Sequence, residues 1–408
     1  MKILFISISA PPQNSPESLQ VAKFIKGLSK QHSITLVTIK EAVGWRRPDK
    51  RLYEYLANVY QVIRLNHYTS RLARYFFKVF FSTRLKRPDE YFLFQRESRI
   101  VASKSKEKPD LIYSRATPFS SCLLALKLKE VYKVPWVMHL SDLWADSPHF
   151  KFTNQDMLYQ QKVEGDCFKL ADRISFTSLE TIEFYTKKYP QYADKFIFTP
   201  NVFDDKELDP NPFRFDEKLK FLHAGNFYGE GRNPLILISA FRSIYKSTPQ
   251  LLANVEVHFM GRFNKDIQDI LVGNNLPFIK ITEEYQFEDS VTEQRNSHIM
   301  LLFDWKFKHM KSVFFLSKVL GYMASRRLIL AVTEKGSTCY NVIEGKYGSC
   351  FEHNDTEGVR EFILKILLNY KDGNLDFFTP ADPDLKYSAS NNVLRLSNVF
   401  ENLIKTEI

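Results

Sequence analysis

The chain has 408 residues, which is too long for one ordinary hydrophobic core and predicts two domains of about 200 residues each. Hydrophobic residues make up 44% and charged residues 25%, proportions that exclude a disordered or low-complexity protein. The formal net charge is +10: residues 1–200 hold 32 basic and 19 acidic side chains, a net of +13, and the remainder has a net of −3. Only the first half is therefore expected to meet a polyanion or an anionic membrane.

The first half alternates short apolar runs with amphipathic segments, which predicts a parallel β-sheet covered by helices on both faces. Residues 2–9 form the first predicted strand, and the breaker-rich loop "APPQNSP" follows it. Ser15 is suited to cap the next helix, and Pro16 fits its first turn. Further strands are predicted at residues 34–39, 59–65, 111–114, 136–140, 174–177 and 196–199.

The segment "YTSRLARYFFKVFFSTRLKR", residues 68–87, combines a basic stripe with a broad apolar surface. Arg71, Arg74 and Lys78 lie on the stripe, and aromatic and aliphatic residues cover most of the remainder. This pattern is typical of a helix at a membrane surface, or of the mouth of a site for a lipid-linked anion. A core helix with one solvated stripe is the alternative, whereas nucleic acid is disfavoured because no recognition motif accompanies the segment.

Polar side chains follow two neighbouring strands of the predicted first sheet. "YSRATPFSS" offers Ser114 and Arg115, and "PWVMHLSDLWADSP" offers His139 and Asp142. Carboxyl ends of parallel strands line the ligand crevice in this class of domain. His139 and Asp142 are therefore candidates for a base or for groups that stabilise a developing cation. The alternatives are a hydrogen-bonded core histidine and a helix-capping aspartate.

The stretch "FTPNVFDDKELDPNPF", residues 198–213, is rich in Pro, Asn and Asp and marks a domain boundary. Strand–helix alternation then restarts, and an amphipathic helix ends the chain. The predicted class is α/β, with two doubly wound Rossmann-like domains that face a central cleft. Packing of the last helix against the N-terminal domain is compatible with this architecture. The expected domains are residues 1–200, 201–385 and, for the C-terminal helix, 386–408.

Two stretches of the second domain resemble parts of an anion site. In "FLHAGNFYGEGRNPLILISAF" a strand ends near Gly225, where a glycine lets backbone amides approach an anion, and Arg232 adds a cation before the next helix. In "FLSKVLGYMASRRLILAV" Ser317 and Lys318 lie near the start of a helix, and Gly321 stands in its middle at a cost of about 1 kcal/mol relative to alanine. A plain strand–helix connection and a solvated lysine are the alternatives.

Several chemistries and locations are not supported by the sequence. It contains no Walker loop, no GxSxG and no HExxH, and its one Asp-x-Asp, "DPD" at 382–384, lies in a proline-rich linker. The four cysteines form no CxxC pair, which indicates reduced thiols and no zinc site. "MKILFISIS" is too short for a signal peptide, and no stretch reaches the roughly 20 apolar residues of a membrane span. We expect a cytoplasmic protein that is at most peripheral to the inner face of the cell membrane.

Taken in order, the quoted stretches resemble a known family. "PDLIYSRATPFSSCLLALKL", "HLSDLW", "GNFYGEGRNPLILISAF", "HFMGRF" and "SKVLGYMASRRLILAV" are similar, over nearly the full length, to family-4 retaining glycosyltransferases of the GT-B architecture. Within that family the chain is most similar to bacterial enzymes of capsule and lipopolysaccharide O-chain assembly. The resemblance implies transfer of a sugar from a nucleotide-diphosphate sugar to a lipid-linked or growing polysaccharide acceptor.

The resemblance also implies roles for individual residues. The C-terminal domain would bind the donor, with Gly225, Asn226 and Arg232 in the phosphate-contacting segment and Lys318 facing the diphosphate; Ser317, its neighbour, is assigned to the same donor site. In the N-terminal domain, Asp142 matches an aspartate near the reaction centre, His139 lies just before it, and Ser114 and Arg115 lie on the acceptor side. The family uses cationic side chains and helix dipoles in place of a metal, so we expect no metal and no cofactor.

The chain departs from the family pattern at two places. The loop "SAPPQNSPES" lacks the glycines that relatives carry near the donor diphosphate. Gly321 occupies the position of a glutamate that typically contacts the donor ribose, and Val313 occupies that of a second glutamate. The leading hypothesis is an active glycosyltransferase, and the alternative is a catalytically impaired scaffold that partners an active one. A GT-B sugar-nucleotide epimerase is disfavoured because it has no use for the basic amphipathic segment.

Overall fold

The computed structural model of the protein describes residues 1–40, 48–66, 71–80, 87–210, 213–227, 231–273, 275–283 and 285–406. The chain forms two compact units. The first unit comprises Met1–Val202 together with Lys386–Ile408, and the second unit comprises Phe203–Leu385. Among the described residues, no helix is both long enough and apolar enough to cross a membrane.

A seven-stranded parallel sheet forms the centre of the first unit, in the order β3-β2-β1-β4-β5-β6-β7. The central strands read as continuous apolar runs because helices cover both of their faces. The strands are β1 (Lys2–Ile6), β2 (Ser33–Ile39), β3 (Gln61–Leu65), β4 (Leu111–Ala116), β5 (Trp136–Leu140), β6 (Arg173–Phe176) and β7 (Phe196–Phe198).

Helices of the first unit alternate with these strands. Ser15 accepts a hydrogen bond from the backbone N–H of Ser18 and Pro16 is the first helical residue, as the sequence predicts for the first helix. The helices are α1 (Pro16–Leu28), α2 (Arg71–Phe80), α3 (Ser98–Lys104), α4 (Ser120–Tyr132), α5 (Asn154–Leu170) and α6 (Leu179–Lys188).

The second unit repeats this plan with six parallel strands in the order β10-β9-β8-β11-β12-β13. Its edge strand β13 has no hydrophobic signal in the sequence, because its residues are only half-buried and lack an apolar run. The strands are β8 (Leu219–Ala224), β9 (Val255–Met260), β10 (Ile279–Thr282), β11 (Ile299–Phe303), β12 (Leu328–Val332) and β13 (Gly348–Phe351). The helices are α7 (Leu235–Ser247), α8 (Lys265–Val272), α9 (Phe287–Arg295), α10 (Ser317–Ala324), α11 (Thr338–Ile343) and α12 (Thr356–Lys371).

The last helix, α13 (Ala389–Thr406), returns to the first unit. Val393, Leu396 and Phe400 belong to the same buried cluster as Phe24 of α1. Gly27 allows the close approach, because a Cβ at this position would lie 2.5 Å from a methyl carbon of Val393. Both sheets reverse their order between two central strands, β1 and β4 in one and β8 and β11 in the other, and such switch points are where doubly wound domains bind ligands.

Candidate functional sites

In the second unit, the chain leaves β8 through a turn that only glycine adopts easily. Gly225 has φ +124° and donates its backbone N–H to the carbonyl of Met260 at 2.6 Å. The side-chain oxygen of Asn226 accepts a hydrogen bond from the backbone N–H of Arg262 at 2.8 Å. The two predicted residues therefore shape the loop at the switch point of this sheet.

Lys318 lies against this turn. It is the second residue of α10, a helix whose N-terminus has no side-chain cap, and Ser317 is the first. The Nζ of Lys318 is 3.4 Å from Nε2 of His223, the fifth residue of β8. A Cβ on Gly225 would lie 2.5 Å from the same Nζ. The structure thus brings Gly225, Ser317 and Lys318 together.

His223 orients the lysine. Its Nδ1 lies 2.9 Å from the carbonyl of Leu301 and must carry the hydrogen of that contact, so Nε2 is left as an acceptor toward Lys318. Burial, together with the charges of Lys318 and Arg232, holds the pKa of His223 well below its usual value, so the ring is neutral. Its ring also stacks on Phe227, with centroids 4.5 Å apart.

Positive charge accumulates at this turn. The guanidinium of Arg232 is buried and lies 6.0 Å from the ring centroid of Trp305. Burial, and then the charge of Arg232, hold the pKa of the Lys318 ammonium well below its usual value. In the part of the chain that the structure describes, Lys318 forms no ion pair with a carboxylate. A buried lysine without such a partner, close to a second cation, has the electrostatic character that suits an anion.

A buried carboxylate, which the sequence analysis missed, supports the chain ahead of α10. Asp304 follows β11 and accepts hydrogen bonds from the backbone N–H of Trp305 at 2.7 Å and the hydroxyls of Ser312 at 3.1 Å and Thr333 at 2.9 Å. Burial raises the pKa of Asp304. Its donors come from three segments, so its function is to hold the loop that leads to Lys318.

Gly321 lies against helix α9. A Cβ at this position would be 2.7 Å from Oε1 of Gln294, a buried residue whose amide donates to Ser290 at 3.0 Å. The space beside Gly321 is therefore filled by the Gln294 side chain. A larger residue at position 321 fits only if that side chain moves.

The first unit brings Arg115, His139 and Asp142 to the end of its sheet. The Nε of buried Arg115 donates to Oε1 of Glu17 at 3.0 Å, and the hydroxyl of Ser141 donates to Oε2 of the same carboxylate at 2.7 Å. Sequence reasoning missed Glu17, which is the second residue of α1. The helix-cap alternative for Asp142 is wrong, because no helix begins after it until Asn154.

The two candidate catalytic groups of the first unit differ in protonation. Burial, and then the charge of Glu17, raise the pKa of Asp142 to about 6. A hydrogen bond from the Thr117 hydroxyl at 3.3 Å acts in the opposite direction and lowers this pKa. Burial and the charge of Arg115 hold the pKa of His139 well below its usual value. The Nδ1 of His139 is 2.8 Å from the hydroxyl of Ser175. Asp142 is thus suited to exchange a proton near neutral pH, and His139 acts only as a neutral hydrogen-bonding group.

Ser114 does not join this cluster. Its hydroxyl accepts from Nε1 of Trp136 at 2.9 Å and lies 3.9 Å from the sulfur of Cys122 in α4. Successive residues of a strand point to opposite faces, so Ser114 and Arg115 diverge. The structure therefore uses the Ser114 hydroxyl in packing, in disagreement with its predicted place on the acceptor side.

The segment that carries Asp142 is fastened by α5 and α6. The backbone N–H of Trp144 donates to the hydroxyl of Tyr185, and that of Ala145 donates to the buried carboxylate of Glu164, both at 2.9 Å. The indole of Trp144 stacks on Phe119 with centroids 4.6 Å apart. These contacts fix the backbone that follows Asp142 and preorganise its position.

Helix α2 exposes the apolar side chains that the structure describes. The exposed fractions are 82% for Leu72 and 68% for Tyr75, and those of Phe76, Val79 and Phe80 are 49% or more. Lys78 is also exposed, whereas Arg71 and Arg74 lie in the helix but their side chains are outside the described part. The core-helix alternative for this segment is therefore wrong for the side chains described.

One group of side chains in the described ranges has spacing suited to a metal ion, and it lies apart from both sites. Glu256, His258 and Glu293 place one ligand atom each within 4.8 Å of the others. His258 already contacts Glu293 at 3.1 Å and the Thr282 hydroxyl at 2.9 Å, and Lys280 lies 3.8 Å from Glu256. These contacts account for the cluster as an ion-pair and hydrogen-bond network.

No family model matches the chain, and no curated protein matches it. Solved structures match it over its whole length. Sucrose-phosphate synthase from Thermosynechococcus elongatus has 13% identity and a TM-score of 0.68, with all of both chains covered. Anabaena HepE in complex with UDP and glucose has 15% identity and a TM-score of 0.60, with 100% of this chain and 98% of that chain covered.

A glycosyltransferase from Rickettsia africae matches with 10% identity and a TM-score of 0.64, over 99% of this chain and 98% of that chain. Structures of UDP-N-acetylglucosamine 2-epimerases also match, at 11 to 12% identity. Identities this low show the fold alone. The fold is GT-B, with two Rossmann-like α/β domains, and the predicted fold class is confirmed.

Proposed function

We propose that this protein is a glycosyltransferase that moves a sugar from a nucleoside-diphosphate sugar to a saccharide acceptor. The observation that carries the proposal is the pair of buried cations at the switch point of the second unit. Lys318 and Arg232 raise each other's electrostatic energy, and Lys318 has no carboxylate partner among the described residues. A diphosphate group supplies the negatively charged partner that Lys318 lacks among the described residues.

In this proposal the cations do more than bind the donor. Charge develops on the leaving diphosphate as its bond to the sugar breaks, and preorganised cations stabilise that charge without reorganisation. The uncapped start of α10 adds N–H groups and the positive end of a helix dipole. Lys318, Arg232 and the helix terminus are proposed to do the work that a metal ion does in other sites, so transfer would be metal-independent.

The first unit is proposed to bind the acceptor, with Asp142 close to the attacking hydroxyl. Family-4 membership and retention of configuration follow from the motif resemblance, and they belong to the proposal. So does a lipid-linked or growing polysaccharide acceptor of the capsule or O-antigen type. Support comes from the positive charge of residues 1–200 and from the exposed apolar face of α2 with its lysine.

The proposed place of action is the cytoplasmic face of an anionic membrane, reached through α2. A flotation assay with vesicles of mixed phosphatidylglycerol and phosphatidylcholine tests this part separately. Wild-type protein is expected to float with the vesicles, and the Phe76→Ser/Phe80→Ser variant is expected to remain in the soluble fraction. Equal flotation of the two proteins would contradict the proposal that α2 binds the membrane.

The experiment that tests the proposed activity uses a panel of nucleoside diphosphates and their sugars. A thermal shift with one nucleotide selects the donor, and incubation of that labelled donor with a lipid extract reports transfer. Label that moves to the lipid fraction supports the transferase. Stabilisation by no nucleotide of the panel would contradict it and would favour the non-catalytic scaffold.

A UDP-sugar epimerase is the second candidate, because solved epimerases share the fold. An epimerase changes UDP-N-acetylglucosamine without any acceptor, whereas a transferase needs one for turnover. Incubation with this sugar nucleotide alone, followed by product analysis, separates the two. Formation of an epimer in the absence of acceptor would replace the transferase by the epimerase.

A further inference from the structure

A carboxylate on α1 lies beside the candidate base of the first unit. Glu17 is only 13% exposed, and both of its oxygens are engaged. Arg115 of β4 donates to Oε1 at 3.0 Å, and Ser141, which follows β5, donates to Oε2 at 2.7 Å. Donors from two neighbouring strand ends therefore fix the negative charge of Glu17 in one place.

Asp142 is held differently. It is the direct neighbour of Ser141 in the chain, so the hydrogen bond from Ser141 to Glu17 ties the two carboxyl-bearing segments together. In the described ranges, the Thr117 hydroxyl is the one hydrogen-bond donor to Asp142, at 3.3 Å. Arg115 is directed at Glu17 rather than at Asp142. Asp142 thus keeps an oxygen free for a ligand, whereas both oxygens of Glu17 are in use.

We propose that Glu17 is a positioning residue for Asp142: it supplies a fixed negative charge, and Asp142 takes the proton of the acceptor hydroxyl. The proposal rests on the proposed function, which it deepens. In the step, the acceptor O–H bond breaks and its proton goes to the Asp142 carboxylate. The acceptor oxygen forms a bond to the sugar C1 on the face that the diphosphate leaves, as retention of configuration requires, and the bond from C1 to the diphosphate breaks with its electron pair left on the diphosphate.

The electrostatics of the cluster agree with this division of roles. Burial and the charge of Glu17 raise the pKa of Asp142 to about 6, so Asp142 remains ionised at pH 7.5 and is a stronger base than an ordinary carboxylate. His139 of β5 is neutral, since burial keeps its pKa low. Two other charged groups of the surrounding segments have partners of their own: Arg115 with Glu17, and Asp146 with Lys188 of α6.

The test is a pH titration of Asp142 in the full-length protein, in which infrared spectroscopy of the carboxyl band measures the protonated fraction. The band is assigned by its loss in Asp142→Asn. In Glu17→Gln the titration of Asp142 is expected to move to lower pH by about one unit, because one like charge has gone. Glu130→Gln on α4 removes an equal charge from an exposed position and is expected to change nothing.

A second variant keeps the test valid if Glu17→Gln does not fold, since that change leaves buried Arg115 without its partner. Glu17→Gln/Arg115→Met removes the ion pair as a neutral unit and is expected to show the same downward shift. Glu17→Asp retains the charge and is expected to retain a raised titration. The acid limb of the pH–rate profile is expected to follow the infrared titration in each variant.

An unchanged Asp142 titration in both the single and the double Glu17→Gln variant would overturn the proposal. This outcome is distinct from failure of the proposed function. If the wild-type protein transfers no sugar but its Asp142 titration still responds to Glu17, the coupling stands and the transferase assignment falls. If transfer occurs and the titration does not respond, the assignment stands and Glu17 has no part in it.

Discussion

At Gly225 the backbone φ is +124°, and the end of the Lys318 side chain fills the space that a Cβ would occupy. Gly225→Ala is therefore expected to displace Lys318 and to place a backbone strain of about 1–3 kcal/mol on the turn. The affinity for the nucleoside diphosphate should fall about tenfold or more in calorimetry. Gly345→Ala is the matched control, because its φ is also positive, at +68°, and nothing lies within 4 Å of the added Cβ.

Lys318 makes a pH prediction with a definite sign. Its pKa is lowered by burial and by Arg232, and a bound diphosphate raises that pKa by pairing with the ammonium. Binding is therefore expected to take up protons, and affinity is expected to fall as the pH rises through the lowered pKa. Calorimetry in two buffers with different ionisation enthalpies measures the uptake. Proton release, or no proton exchange at any pH, would contradict this account of the site.

For individual residues, the sequence predicted which side chains lie at the two candidate sites but not which distant residues contact them. Polar residues after a strand pointed to Asp142, because carboxyl ends of parallel strands share one edge of a sheet, and a position near the start of a predicted helix pointed to Lys318. The partner of Arg115 is 98 residues away along the chain, and no local pattern indicates such a pair. Ser114 was assigned to the acceptor side without regard to strand alternation, and only the packed structure shows Gln294 against Gly321.

At the scale of elements, the hydrophobic pattern predicted most strands because buried parallel strands are continuously apolar. The capping of α1 by Ser15 followed from local chemistry alone. The segment 68–87 showed its basic and apolar residues in the sequence, but only the structure revealed that the apolar side chains described in α2 are exposed. The docking of α13 on α1 depends on the shape at Gly27, which periodicity does not encode.

The C-terminal helix makes a stability prediction. Phe400 of α13 is fully buried in the core of the first unit, so Phe400→Ala is expected to lower the free energy of unfolding by about 3–5 kcal/mol. Leu394 lies on the same helix with 54% of its side chain exposed, and Leu394→Ala should change the free energy by less than about 0.5 kcal/mol. Urea unfolding followed by circular dichroism measures both. Equal effects would mean that α13 is not part of this core.

For the whole molecule, the fold is shared by glycosyltransferases and epimerases and therefore does not decide between these two functions. Transferases and epimerases both match this chain over its full length at identities of 10 to 15%. The choice between them depends on individual residues: the cation pair of the second unit, the coupled carboxylates of the first, and the exposed face of α2. The positive charge of residues 1–200 was visible in the sequence, and it agrees with an anionic acceptor or surface.

The central claim is that Lys318 and Arg232 form a diphosphate site, and calorimetric titration with UDP tests it most directly, followed by GDP and ADP if UDP does not bind. The account predicts that wild-type protein binds one of these nucleotides and that Lys318→Ala and Arg232→Ala each weaken binding at least about tenfold. Lys246→Ala, an exposed lysine near the end of α7, should bind as wild type does. Unchanged affinity in the Lys318 and Arg232 variants, or no binding of any nucleotide to the wild type, would contradict the account.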